Sequence, residues 1–185
     1  MPPIESVFVV LSPEDREFER QDWSAFAGKL APLYCGGETR RDSVYNALVA
    51  VTASVESDDW MLVHDAARPC LPRDDMDRLV SELADDEVGG ILALPVADTV
   101  KKVADGKIDS TVDRSELWLA QTPQMFRAGV LMQALGRAKG TPTDEAAAVE
   151  ELGLKPRVLA GSRDNLKVTW PEDVRIAEAV LRARQ

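Results

Sequence analysis

Apolar positions along the chain fall into two periods. Short apolar runs at 7–11, 60–63 and 91–96 read as buried strands, the second continuing to His64, with a weak strand at 32–35 and a last short one at 157–159. Between them, apolar residues recur at about 3.6-residue spacing, which predicts helices with one buried face. Val44, Ala47, Leu48 and Val51 mark a helix from about Asp42, and Met76, Leu79, Val80 and Leu83 mark one behind Asp74-Asp75. Val130, Leu131, Ala134, Leu135 and Ala138 mark a third over 127–139. Ser12-Pro13-Glu14-Asp15 has the capping hydroxyl, first-turn proline and acids of a helix start. Thr143-Asp144-Glu145 caps an alanine-rich helix that Gly153 stops. Thr169-Trp170-Pro171-Glu172 fits a capping box, with Val174, Ala177 and Leu181 on the buried face of the last helix. Strand, helix, strand alternation of this kind predicts βαβ units and a mainly parallel sheet, an α/β fold.

Two stretches depart from that rhythm. Residues 99–103 and 108–112 alternate around Ala104-Asp105-Gly106-Lys107, where Asp-Gly favours a tight turn, so a hairpin is predicted there. In Leu62-Val63-His64-Asp65-Ala66-Ala67-Arg68-Pro69, an apolar strand runs into an acid, two small residues, an arginine and a proline. Pro69 ends regular pairing, so Asp65 and Arg68 should stand at the carboxyl end of a strand, the place where open α/β sheets bind ligands.

Composition narrows the class. With 185 residues, 45% of them hydrophobic, the chain can bury one sizeable core, which predicts a single domain over 1–185. A net charge of −10 argues against a nucleic-acid partner, because neutralising a phosphate backbone takes a cationic face. An anionic ligand would need a local cluster of Lys and Arg. Cys35 and Cys70 have no metal-type spacing and read as ordinary buried thiols in a reducing compartment. Met1-Pro2-Pro3-Ile4-Glu5 has no basic patch leading into an apolar stretch, and no run approaches a membrane span, so a cytoplasmic location and no membrane partner are expected.

His64 is the one histidine, which leaves no basis for a His-centred triad or a histidine-rich metal site; at a strand end it reads as a hydrogen-bonded core residue rather than a catalyst. Basic residues cluster instead at predicted element ends: Arg40, Arg41, Arg68, Lys101, Lys102, Arg114 and Lys167. Their shared placement suggests that several converge on phosphate. Gly36-Gly37-Glu38-Thr39-Arg40-Arg41-Asp42-Ser43, a glycine pair leading into a helix, could meet an anion or ribose through backbone N–H groups, or be a simple turn and N-cap.

Further motifs occur in a recognisable order. After Val63-His64-Asp65-Ala66-Ala67-Arg68-Pro69 come Pro95-Val96-Ala97-Asp98-Thr99-Val100-Lys101, Thr111-Val112-Asp113-Arg114, Leu117-Trp118, Gln121-Thr122-Pro123-Gln124-Met125-Phe126, Thr143-Asp144-Glu145 and Asn165-Leu166-Lys167-Val168-Thr169. From about Val7 to its end the chain resembles the 2-C-methyl-D-erythritol 4-phosphate cytidylyltransferases. The resemblance implies a Rossmann-like nucleotidyltransferase, a three-layer sandwich with a mainly parallel sheet and a protruding β-arm at about 99–114. It implies cytidylyl transfer from CTP to methylerythritol phosphate, releasing pyrophosphate, in the non-mevalonate route to isoprenoids. By the same resemblance Arg114 and Lys167 position the sugar phosphate for attack, and Asp65, Arg68, Thr99 and Thr122 are further substrate contacts. Gly37, Glu38, Ser43 and Ala66 fall where the family contacts cytidine, Glu38 replacing a shorter acid. The arm implies a homodimer in which Arg114 acts on the partner's site.

The inventory suits that chemistry. A phosphate monoester, with a second pKa of about 6, is largely dianionic at neutral pH and attacks without a general base. The site must supply in-line positioning and cations, hence Arg and Lys rather than Ser and His. Mg²⁺ is expected mainly on the triphosphate of CTP, with no dedicated protein ligand set. One departure stands out: the family opens with a strand and a loop of the form Ala-Ala-Gly-x-Gly-x-Arg, then Pro-Lys-Gln, and neither occurs here. The chain thus resembles the family from its second strand onward, without the loop that cradles the triphosphate. Two strands are expected to lack a neighbour, and turnover by these residues alone is expected to be negligible. A non-catalytic remnant that dimerises or binds sugar phosphate, and a ribitol-phosphate cytidylyltransferase, are the alternative readings.

Overall fold

The computed structural model describes residues 4–26 and 28–184. Met1 to Pro3, part of the stretch read for a targeting signal, lie outside them. By contacts the chain divides into two compact units, Met1–Met61 with Phe126–Pro156, and Leu62–Met125 with Arg157–Gln185.

In the first unit, β1 (Val7–Val10) pairs in parallel with β2 (Leu30–Leu33), Val7 opposite Leu30. The helix expected from Ser12-Pro13 does not form. Asp15 Oδ1 instead accepts the N–H groups of Glu17 and Phe18, turning the chain into short 3-10 segments at Phe18–Arg20 and Ser24–Phe26. An Asx-type bond of this kind competes directly with helix propagation. Helix α1 (Arg40–Ala50) begins at Thr39, whose side chain accepts from the Asp42 N–H. Further along the chain, α3 (Ala128–Arg137) packs on both α1 and α4 (Glu145–Glu150). Leu48, Leu131, Leu135 and Val149 are buried here. Asp144 caps α4 through the Ala147 N–H, and Gly153, at φ 81°, stops the turn that follows it.

The second unit carries most of a four-stranded sheet with order β3-β7-β4-β8. Its strands are β3 (Trp60–Val63), β4 (Gly89–Pro95), β7 (Trp118–Arg127) and β8 (Arg157–Ala160). Helix α2 (Arg73–Leu83) covers β4 with Leu79, Val80 and Leu83 buried. Strands β5 (Val100–Ala104) and β6 (Lys107–Val112) form the expected antiparallel hairpin, turning at Asp105 and Gly106, both at positive φ. Helix α5 (Pro171–Arg182) closes the chain. Its start differs from expectation by one residue: Asp173, not Glu172, reaches back to the Thr169 and Trp170 N–H groups. Of the face expected to be buried, Ala177 is, whereas Val174 and Leu181 are 54% and 40% exposed.

Strand β7 is not among the elements that periodicity predicts. Pro123 interrupts it and supplies no ladder N–H, which in sequence argues against an internal strand. Nevertheless β7 lies between β3 and β4, and Gln121 to Phe126 are all buried. Among the described residues β1 pairs with β2 alone, and β3 stands at one edge of its sheet.

Candidate functional site

Strand β3 delivers its last residues beside the middle of β7. The Asp65 N–H donates to Thr122 Oγ1 at 3.0 Å, and the same hydroxyl lies 3.1 Å from His64 Nδ1. The other ring nitrogen, Nε2, is 3.0 Å from the Arg68 carbonyl oxygen. A carbonyl only accepts, so Nε2 carries the proton and Nδ1 accepts from the Thr122 hydroxyl. Desolvation lowers the His64 pKa, opposed by the Arg68 carbonyl bond and by Asp65. The imidazole is therefore neutral near pH 7 and acts as a hydrogen-bonded brace as expected, though it stands exposed at the strand end and not in the core.

Lys167 comes from the loop after β8. Its Nζ meets Asp65 Oδ2 at 3.0 Å, with the carboxylate side chain only 12% exposed and the lysine 47%. The Val168 N–H donates to the Ala67 carbonyl at 2.8 Å, pinning this loop against the strand end. Arg68 turns back inward: Nη1 donates to the Asn165 carbonyl at 2.7 Å, and Nη2 reaches the Ala120 carbonyl at 3.4 Å. Burial lowers the Arg68 pKa while Asp65 opposes the shift, and a guanidinium stays charged regardless. Direct side-chain bonds thus join Asp65, Thr122 and Lys167, and the Arg68 backbone N–H adds that residue to the same cluster by donating to the Asp65 carbonyl at 2.9 Å. The cluster holds two cations against one carboxylate, an arrangement that favours an anion.

Thr99 and Arg114 stand at the two feet of the hairpin, both exposed, and the Arg114 guanidinium donates to the Ala97 carbonyl. Ala66 is exposed in the strand-end turn, its methyl leaving room for a flat group. In the first unit Gly37 and Ser43 come together, the Gly37 N–H donating to Ser43 Oγ at 3.0 Å. A Cβ on Gly37 would lie 2.5 Å from Asp42 Cβ, so only glycine fits beside the helix start. Glu38 beside it is exposed.

Other expected cations are engaged in holding the fold. Arg40 makes a two-pronged pair with buried Glu145, and Arg41 binds Asp42 and the Leu135 carbonyl. Lys101 and Lys102 reach across the hairpin to Thr111 and Asp109. Each of the four is held by a partner on its own or the adjoining element. Sequence reasoning gave no role to Glu145, Gln121 or Asn165, all at most 4% exposed. Their polar identity at buried positions was the available signal, but burial itself was hidden at a helix start for Glu145, in an unrecognised strand for Gln121 and in a loop for Asn165. Among the described residues no group of three or more His, Cys, Asp and Glu could hold a metal, and no helix is long and apolar enough to cross a membrane.

Comparison with known proteins gives the family and the fold. The pattern of 2-C-methyl-D-erythritol 4-phosphate cytidylyltransferases matches residues 1–183. A protein of that name from Azoarcus sp. (strain BH72) is 55% identical over 185 residues, 99% of this chain and 78% of the relative. Another, from Dechloromonas aromatica (strain RCB), is 52% identical, covering 100% of this chain and 81% of the relative. A solved 4-diphosphocytidyl-2C-methyl-D-erythritol synthase superposes with a TM-score of 0.86 at 42% identity, over 95% of this chain and 82% of its own. The cytidylyltransferase of Francisella tularensis gives 0.79 at 36% identity, over 95% and 80%.

Proposed function

The chain belongs to the 2-C-methyl-D-erythritol 4-phosphate cytidylyltransferase family, and from that premise we propose that the cluster of Asp65, Arg68, Thr122 and Lys167 is its site for the sugar phosphate. It is a nucleotidyltransferase with the family's Rossmann-like α/β fold, and it transfers the cytidylyl group of CTP to 2-C-methyl-D-erythritol 4-phosphate in isoprenoid biosynthesis. The observation that carries the site is the 3.0 Å contact between Lys167 and the nearly buried Asp65, one residue pair from Arg68 and Thr122. In the free enzyme Asp65 holds the ammonium in place. An arriving phosphate dianion offers Lys167 a stronger acceptor, and the exposed lysine swings to it while Asp65 keeps the Thr122 and strand-end geometry.

The attacking phosphate oxygen is already ionised, so no residue need remove a proton. Lys167 orients that oxygen, and Arg114 adds a second cation as charge builds on the α-phosphate. Arg114 sits at the foot of a hairpin whose tip exposes Val103 and Ile108, which suits a homodimer clasped by this arm, with Arg114 serving the neighbouring site. Thr99 flanks the same phosphate. Gly37, Glu38, Ser43 and Ala66 contact the cytidine. The two units are parts of one nucleotidyltransferase domain, working in the cytoplasm. The strand end offers Asp65, already paired to Lys167, which fits an Mg²⁺ held chiefly by triphosphate oxygens; when bound it withdraws charge from the phosphorus under attack.

Pyrophosphate release tests the assignment. Made in a form that carries the family's glycine-rich loop ahead of residue 1, Lys167→Ala and Arg114→Ala each lower kcat/KM for methylerythritol phosphate by about a hundredfold or more, while CTP affinity by calorimetry changes little. Unaltered kinetics in both variants would remove the roles given to them.

A further inference from the structure

Asn165 is fully buried, two residues before Lys167, and has no part in the chemistry above. A buried amide away from water survives where its polar atoms hold partners. Its Nδ2 donates to the Thr122 carbonyl at 2.8 Å. Its backbone carbonyl, not its side chain, accepts Arg68 Nη1 at 2.7 Å and Gln121 Nε2 at 3.3 Å, while the side-chain Oδ1 has no hydrogen-bond partner among the described residues. One residue therefore grips the backbone of Thr122 from below, fixes the guanidinium of Arg68, and starts the short segment that carries Lys167 to Asp65. The loop has independent anchors. Gln121 Nε2 reaches the Ser162 carbonyl at 3.0 Å, the Gly161 N–H bonds Ala93 at 2.8 Å, and the Val168 N–H bonds Ala67. The bond specific to the Asn165 side chain is the one under Thr122, so its loss shifts the cluster more than it unravels the loop.

We propose that Asn165 is a positioning residue for the sugar phosphate, holding Thr122, Arg68 and Lys167 in one register. This rests on the reading that those three residues contact that substrate. Displacements of about 1 Å in such a constellation cost large factors in rate without any direct contact to the reacting atoms. Asn165 binds Thr122 and Arg68, both given to the sugar phosphate, and makes no described bond to Ala66, so the larger effect should fall on that substrate.

The test is Asn165→Asp in the active enzyme, with pyrophosphate release measured against each substrate in turn. The replacement keeps shape but, when ionised, has no proton for the Thr122 carbonyl. At pH 8 the KM for methylerythritol phosphate rises about tenfold or more relative to wild type, while the KM for CTP stays within about twofold. Burial against a carbonyl raises the pKa of the new carboxyl. Lowering the pH from 8 to 6 raises its protonated fraction against the opposing Arg68 charge and moves the variant-to-wild-type ratio toward one; taking the ratio cancels the substrate's own titration. Asn165→Leu, similar in volume and without a donor, shows the same one-sided defect with no recovery at pH 6. Equal effects on both substrates, unchanged kinetics, or loss of the folded circular-dichroism spectrum in both variants would each overturn the proposal. Lys167→Ala separates the two levels: if it leaves the KM for methylerythritol phosphate unchanged, the reading of the site fails. If it raises that KM while Asn165→Asp does not, only the positioning role fails.

Discussion

Removing the Glu145 carboxylate should destabilise the protein by a predictable amount. The side chain is 1% exposed, and its two oxygens accept Arg40 Nη1 and Nη2 at 2.6 and 2.9 Å. It joins the start of α1 to the start of α4, two segments 105 residues apart in sequence. Breaking a buried pair from one side costs about 3–5 kcal/mol, because the surviving charge is left without its partner. Arg40 is 33% exposed and can recover part of its hydration, which places Glu145→Ala at the lower end, about 3 kcal/mol. For a chain of this length that lowers Tm by about 6–12 °C. Replacing both partners, Arg40→Met with Glu145→Leu, leaves no charge behind and should recover most of the loss. Thermal melts followed by circular dichroism, with urea titration to check that the m-value holds, measure all three variants. A Glu145→Ala melt within 2 °C of wild type, or a double variant worse than the single, would refute the reasoning.

Two further outcomes follow from close contacts and from titration. A Cβ at Gly90 would lie 2.3 Å from the Arg157 carbonyl oxygen, a backbone atom of the paired strand, so Gly90→Ala should push β8 off β4 and cost about 1–3 kcal/mol in a urea titration. A folding free energy equal to wild type would show that the strands part without strain. His64 has a folded pKa below its unfolded value of about 6.5, so the neutral ring's contribution is complete above that pH and is lost as the pH falls through the folded pKa. Tm measured from pH 7.5 to 5 should therefore fall more steeply for wild type than for His64→Gln; parallel curves would remove the neutral-tautomer assignment.

The strands that periodicity identifies best are those whose apolar run is uninterrupted: β3 ends within a residue of expectation, and β4 begins two residues before its expected start and ends one before its expected end. Where a side chain competes with the backbone, pattern reading failed. Asp15 captured two N–H groups and turned an expected helix into 3-10 segments, and Pro123 concealed an internal strand. The last helix was placed correctly but its buried face was not, since amphipathic spacing states that a face is apolar and not that anything covers it. Val174 and Leu181 satisfy the first condition only. Of the basic residues at element ends, charge and position alone could not separate Arg40, which a buried carboxylate holds, from Lys167, which a carboxylate holds at the surface.

Motif order along the chain determined the family and with it the reaction, because the identity of residues such as Asp65, Arg68 and Lys167 is a local property that survives without coordinates. The hairpin was local too: Asp105 and Gly106 adopt the positive φ that a tight turn demands of those residue types. What only the tertiary structure decided is who meets whom. Thr122 on β7 is 57 residues from Asp65, and Asn165 is 97 from Arg68. Bonds over such separations depend on which strands become neighbours, and burial, which gives them their strength, is a property of the packed chain rather than of any segment.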